Sequence, residues 1–221
     1  MENIIIYGVG AQARQLKYYI ENEKCAKVHA FIVDKAYKKT NELCGLPIVE
    51  FEAIEKLYPA CSYKMLVSFA YTNMMDNRKE KIENSRLKGY SLYSYISKDA
   101  RIYSNNIGES VIIYPGTLIA PFVTIGKGCF FEISCSVAHN SIIGDYCFFA
   151  PGATVCGEVN IGNNVFAGAG AVVANSLNIR DYSFISANTL VSKNMFENSA
   201  INPNGDISKA NSFEKMRRMC N

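Results

Sequence analysis

The 221-residue chain lacks most of what would mark it for a membrane, a nucleic acid or a metal. No run of eighteen or more apolar residues occurs, so no segment is long enough to span a bilayer. The opening Met-Glu-Asn-Ile-Ile-Ile-Tyr has no basic stretch and only a short apolar run. It reads as a first β-strand, not as a signal peptide. The formal net charge is only +3, and the nearest thing to a basic block is Lys215-Met-Arg-Arg218, the pattern of a solvated helix face. Nucleic acid is therefore not an expected partner. There are two histidines, His29 and His139, and none of the eight cysteines forms a Cys-x-x-Cys pair. That argues against a zinc or disulfide framework. The expectation is a cytoplasmic protein with no metal and with reduced, mostly buried thiols.

What the chain does have is a repeat. Isoleucine stands at 107, 125, 143, 161 and 179, each 18 residues after the last, and the first four are followed by Gly108, Gly126, Gly144 and Gly162. Six residues beyond each isoleucine stand Ile113, Phe131, Phe149, Ala167 and Ile185; twelve beyond stand Ile119, Val137, Val155, Val173 and Val191. Every one of these positions is apolar. A period of six with a super-period of 18 describes three short strands per turn of a triangular coil, with one apolar side chain per strand pointing into the prism. Parallel strands lie ~4.8 Å apart, so residues 18 apart are direct neighbours along the axis. Glycine at the corners is expected to permit the turns. The fold expected for residues 95–192 is a left-handed parallel β-helix of hexapeptide repeats. Its poverty in charge suggests self-association through the flat sides, with a homotrimer the economical assembly.

Residues 1–94 read differently. Ile4–Tyr7, Lys27–Val33, Met65–Phe69 and Tyr90–Tyr93 are expected strands. Helices are expected from the Gly8-Val-Gly10-Ala-Gln-Ala13 turn to about residue 23, over Phe51–Leu57 and over Asn73–Ser85. Such alternation implies an α/β, Rossmann-like half domain with a parallel sheet. Residues 193–221 form a tail in which the coil register stops at Val191 and Ser208–Cys220 can make a short amphipathic helix.

Three sets of residues could carry chemistry. His139 lies two residues beyond Val137, where a side chain can leave the prism. A neutral imidazole there is a suitable general base for a sugar amine or hydroxyl. Gly157 stacks on it one coil later and is expected to open a notch for a thin pantetheine arm, with a nearby backbone amide holding the developing oxyanion. The glycines Gly8 and Gly10 let a backbone close on a phosphate at a helix N-terminus, and Asp34 ends the second strand where a ribose hydroxyl or base edge would lie. About ninety residues supply only one βαβαβ half. This argues for a mononucleotide carrier such as a UDP- or dTDP-sugar over NAD. His29, between Val28 and Ala30, reads as a packed strand histidine.

The stretch His139-Asn-Ser-Ile-Ile-Gly-Asp-Tyr-Cys-Phe-Phe-Ala-Pro-Gly-Ala-Thr-Val-Cys-Gly157, followed by Val159-Asn-Ile-Gly162 and preceded by a Gly-rich α/β domain, resembles the NeuD-type sugar acyltransferases. The resemblance covers about residues 3–192. It implies a trimeric, acetyl-CoA-dependent N-acetyltransferase acting on the 4-amino group of a nucleotide-linked amino-dideoxy sugar in bacterial glycan and O-antigen assembly. His139 would be the base and Asn140 its orienting partner. Acetyl-CoA would touch Gly157, Ala169, Ala187 and Phe148, and the sugar nucleotide Gly8, Gly10, Asp34 and Lys35. Members of the family usually have Asp or Glu where Asn140 stands, a second histidine where Phe148 stands, and Gly-x-Pro-Ala where Ile201-Asn-Pro-Asn follows the coil. O-acetylation of a sugar such as a sialic acid is the alternative chemistry. A non-catalytic trimeric scaffold or binding module is the alternative class, favoured by Asn140 and Phe148.

Overall fold

The computed structural model describes residues 1–208, in two compact units: residues 1–70 with 78–95, and residues 71–77 with 96 onward. In the first unit, β1 (Glu2–Tyr7), β2 (Ala26–Val33), β4 (Leu46–Glu50) and β5 (Lys64–Val67) pair in parallel. The short β3 (Glu42–Leu43) adds an antiparallel edge, giving the order β3-β4-β2-β1-β5. Ile4, Ile5, Ile6 and Tyr7 of β1 are all fully buried, as a central parallel strand covered on both faces must be. Helix α1 (Ala11–Asn22) turns Ala13, Leu16 and Ile20 to the sheet at helical spacing. Helix α2 (Asp76–Leu87) buries Ile82 and Arg78, whose guanidinium donates to the carbonyls of Val67 and Phe69. The expected fourth strand at 90–93 is reduced to a single bridge, Leu92 to Met65, and the β3–β4 hairpin was not anticipated.

The second unit is the expected left-handed β-helix of three parallel sheets. Its first face stacks two-residue strands from Arg101–Ile102 through Ser136–Val137 and Thr154–Val155 to Leu190–Val191. The second face runs from Asn106–Ile107 to Asn178–Ile179, and the third carries Ile112–Ile113 through Phe184–Ile185. The register is 18 between all the strands from Asn106–Ile107 to Leu190–Val191, and 17 at the first step, where Arg101–Ile102 pairs with Leu118–Ile119. Of the fifteen repeat positions only Ile107 is not fully enclosed. Phe131 and Phe149 stack inside at 4.6 Å and 1°. Truncating one such column residue to alanine would cost about 2–5 kcal/mol, because the stacked neighbours cannot collapse into the void.

The coil's thiols and hydroxyls are satisfied internally. Cys129, Cys135, Ser141 and Cys147 each donate to the carbonyl fifteen residues on, at 3.1, 3.3, 3.0 and 3.0 Å. The thiols are less uniformly buried than expected: Cys129, Cys135 and Cys147 are, whereas Cys44 and Cys61 of the first unit are exposed.

Three expectations need correction. First, the coil does not stop at Val191. Met195 bridges Ile179 and Ala200–Ile201 pairs with Phe184–Ile185, so a further partial turn forms with a 16-residue step. The corner after Val191 is two residues short, which hid it from an 18-residue search. Second, Ile207–Ser208 is a strand pairing antiparallel with Ala200–Ile201; the rest of the expected 208–220 helix lies outside the described residues. Third, Gly108, Gly126, Gly144 and Gly162 are not the turn residues. A Cβ on Gly144 would stand 2.6 Å from the Gly162 backbone, so these glycines allow close approach of the next coil. The left-handed conformation falls on their neighbours instead, such as Tyr146 and Asn164.

Segment 71–77 packs on the third face. Asn73, Met74 and Met75 all adopt positive φ, Tyr71 stacks edge-on against Phe148 at 5.0 Å, and Asn164 donates to the Met74 carbonyl at 2.8 Å.

Candidate active site

The corner between the first and second faces carries His139. Pairing of Ser136–Val137 with Thr154–Val155 sets residue 139 beside residue 157, and the Glu158 amide donates to the His139 carbonyl at 3.0 Å. The side chain leaves the prism and is exposed. A Cβ on Gly157 would lie 2.9 Å from both Cε1 and Nε2 of the imidazole. The glycine therefore makes room for the ring itself, and the notch expected for a pantetheine arm is filled by the imidazole. Among the described residues, the Gly157 N–H donates to no acceptor.

Asn140 takes the left-handed conformation at φ 59°, and its Oδ1 lies 3.0 Å from His139 Nδ1. An amide oxygen only accepts, so this contact requires the proton on Nδ1 and leaves the Nε2 lone pair free. That is the tautomer a general base needs. His29, by contrast, sits 2.9 Å from Asn3 Oδ1 and edge-on to Tyr63, and burial lowers its pKa.

The other residues expected at an acyl donor do not join this corner. Ala169 and Ala187 are exposed and stacked in neighbouring coils, with the Asn188 amide donating to the Ala169 carbonyl, but they occupy the corner between the third and first faces. A whole sheet face separates them from Gly157 on one chain. Phe148 is 2% exposed; it lies in an outer aromatic ladder with Phe130 and Phe166, under Tyr71. Its ring offers no surface to a ligand, which removes it from the expected cofactor contacts.

In the α/β unit, Gly8, Gly10 and Asp34 gather at the carboxyl ends of β1 and β2, beside the switch point between β1 and β5. Gly8 is obligatory for packing. Its φ is +127°, and a Cβ would strike Ser68 Oγ, which donates to the Tyr7 carbonyl at 2.8 Å. Gly10 caps α1 without a side-chain hydrogen bond and with no acidic residue in the first turn, so the helix end is open to an anion. Asp34 is already engaged: it accepts from the Tyr7 hydroxyl, and Lys81 lies 3.2 Å away. Burial and the Asp34 contact push the Tyr7 hydroxyl pKa up, keeping it a donor. Lys35 is exposed, and its amide donates to Glu52 at 3.0 Å. Tyr7 and Lys81 were missed because only their partner, at a strand end, has a sequence signature. A shallow depression lined by Asn3, Cys61, Tyr63 and Lys64 lies at the opposite, amino-terminal edge of the sheet.

No group of three His, Cys, Asp or Glu side chains suited to a metal ion occurs among the described residues, and no helix there is long and apolar enough to cross a membrane.

Residues 122–157 match the family model described as bacterial transferase hexapeptide (six repeats). A comparison with curated sequences finds no match. Several solved structures align over nearly the full length of the chain. The GDP-perosamine N-acetyltransferase of Caulobacter crescentus, solved with CoA and GDP-perosamine as a histidine-to-alanine mutant, aligns with a TM-score of 0.84 at 20% identity over 95% of this chain and 98% of that one. The acetyltransferase domain of PglB from Neisseria gonorrhoeae, solved with acetyl coenzyme A, gives 0.81 at 15% identity over 95% and 99%. WeeI from Acinetobacter baumannii gives 0.80 at 22% over 94% and 100%. At these identities the likeness establishes the fold.

Proposed function

We propose that the chain is an acetyl-CoA-dependent N-acetyltransferase acting on the 4-amino group of a nucleotide-linked amino-dideoxy sugar. The observation that carries this reading is the His139–Asn140 contact, which leaves Nε2 basic on an exposed corner of the fold. Nε2 removes a proton from the sugar amine as its nitrogen attacks the thioester carbonyl. The unpaired Gly157 amide is the candidate donor to the oxyanion that forms. When the C–S bond breaks, the imidazolium returns the proton to the departing CoA thiolate. Asn140 orients the ring but adds no negative charge, so it stabilises the imidazolium less than a carboxylate would.

The division of candidate donor residues between two corners supports a homotrimer. In a cleft between copies, the histidine corner of one chain can face the Ala169–Ala187 corner of the next. The exposed side chains of Leu118, Ile142 and Leu190 are apolar surface such an assembly would cover. In the α/β unit, the Gly8–Gly10 turn and the open end of α1 suit the phosphates of the sugar nucleotide, with Asp34 and Lys35 beside its nucleoside. The solved Caulobacter and Neisseria proteins, with CoA, GDP-perosamine or acetyl coenzyme A bound, support this assignment of ligands.

The test is CoA release from acetyl-CoA with UDP-, dTDP- and GDP-linked 4-amino-4,6-dideoxy sugars, run beside hydroxyl acceptors. Turnover with an amine acceptor is expected. Turnover confined to hydroxyl acceptors would make it an O-acetyltransferase, and calorimetry showing that neither acetyl-CoA nor any sugar nucleotide binds would make it a scaffold.

A further inference from the structure

The histidine corner has a second unusual side chain. Phe122 stands eighteen residues before Asn140, in the column Phe122, Asn140, Glu158, Ser176, whose members all adopt positive φ, at 64, 59, 60 and 58°. The coil imposes this left-handed conformation. It suits asparagine and is unfavourable for an aromatic residue by roughly 1 kcal/mol or more. Nor does Phe122 recover that cost by burial: its side chain is 78% exposed, while the prism core is filled without it. A costly residue that contributes nothing to the core points to a role at the surface.

Its position says which role. The imidazole of His139 leans toward the following coil, against Gly157, whose free amide is the candidate oxyanion donor. The acyl group therefore belongs on the Gly157 side. The attacking nucleophile must reach Nε2 from elsewhere, and the preceding coil presents Pro121 and Phe122, with the Asn140 amide 3.4 Å from the Pro121 carbonyl. Leu118, 37% exposed on the first face, and Ile142, 51% exposed on the second, flank the same corner. The approach to the base is thus an apolar shelf with one aromatic ring.

Resting on the N-acetyltransferase reading, we infer that Phe122 is the platform for the acceptor sugar: its ring packs on the deoxygenated, C–H-rich edge of a 4-amino-4,6-dideoxyhexose while the 4-amino group faces His139. A hydroxymethyl in place of the 6-methyl group would put a hydroxyl on that shelf with no hydrogen-bond partner. Phe122 then selects for 6-deoxy acceptors.

The test uses Phe122→Asn, which suits the left-handed backbone, and Phe122→Tyr, which keeps the ring. Acceptor KM, acetyl-CoA KM and melting temperature are measured with whichever 4-amino-4,6-dideoxy sugar nucleotide turns over, and with its 6-hydroxyl counterpart. The asparagine variant is expected to raise acceptor KM about tenfold, the scale of one lost apolar contact. It should lose preference for the 6-deoxy sugar by a similar factor, with acetyl-CoA KM within about twofold and an unchanged or higher melting temperature; tyrosine restores the wild-type values. Unchanged acceptor KM and preference in the asparagine variant would overturn the assignment. So would a rise in both KM values with a changed sedimentation coefficient, which would make Phe122 a subunit contact. A wild-type protein that releases no CoA with any acceptor would instead sink the acetyltransferase reading, and this inference with it.

Discussion

Two corners of one prism do different work with the same backbone. At the corner between the second and third faces, each coil is tied to the next by side chains. Asp145 Oδ1 accepts from the Lys127 amide, Asn163 Oδ1 from the Asp145 amide and Asp181 Oδ1 from the Asn163 amide, at 3.0, 2.8 and 2.9 Å. The preceding glycines bring the coils close enough for this ladder to close. At the corner between the first and second faces, the corresponding stack runs Pro121, His139, Gly157, Asn175, and among the described residues no side chain of that stack accepts an amide from the neighbouring coil. A single side-chain tie beside it has Ser176 Oγ donating to Glu158 Oε2 at 3.1 Å. Its amide at Gly157 is left free and its imidazole faces outward. A solenoid can thus devote one edge to holding coils together and leave another for chemistry, because each edge's stacking repeats independently along the axis.

Substitutions should separate the two edges. The largest expected effect short of deleting the base comes from Gly157→Val: the added side chain displaces the imidazole, and kcat should fall about a hundredfold, the scale of a misplacement of ~1 Å. Thermal melting should barely change. Gly144→Ala should do the converse. Its methyl group meets backbone that cannot swing aside, so stability should drop by about 1–3 kcal/mol in denaturant titrations, with kcat per folded molecule unaltered. Asn140→Gly keeps the left-handed backbone and deletes the Nδ1 acceptor. The loss of about 1 kcal/mol of orientation should lower kcat about fivefold, and Asn140→Asp should restore it. Smallest is Asp145→Ala, which removes one rung and should cost about 1 kcal/mol of stability without touching kcat. Thiol labelling sharpens the comparison from the inside. Cys44 and Cys61 should react in the native protein, whereas Cys129, Cys135 and Cys147 should react only after unfolding, because burial pushes the Cys135 thiol up to about 12 and raises that of Cys147.

The coil was legible because its period is enforced by stacking: every eighteenth residue must share one environment, so chance cannot imitate fifteen apolar positions. What depends on a single local exception was not legible. The shortened corner between Val191 and Met195 broke the period without breaking the coil. The turn at Asn73, Met74 and Met75 carries no glycine to announce positive φ. Of the candidate site, His139, Asn140 and Gly157 could be placed together from register alone, since they differ by one coil. Ala169 and Ala187 could not be joined to them, because register says which residues stack but not which corners meet when chains assemble. Phe148 was assigned to acetyl-CoA by resemblance alone, and its cover by residues 71–77 is a tertiary fact that no local pattern announces. The engagement of Asp34 by Tyr7 and Lys81 is likewise a tertiary fact.

The central claim is that the exposed imidazole at this corner is the base of an acetyl transfer. It is tested most directly by kcat for CoA release in His139→Ala, measured alongside its melting temperature. The account predicts a fall of roughly two to four orders of magnitude with the melting temperature preserved. A variant that melts like the wild type and turns over at the wild-type rate would contradict it.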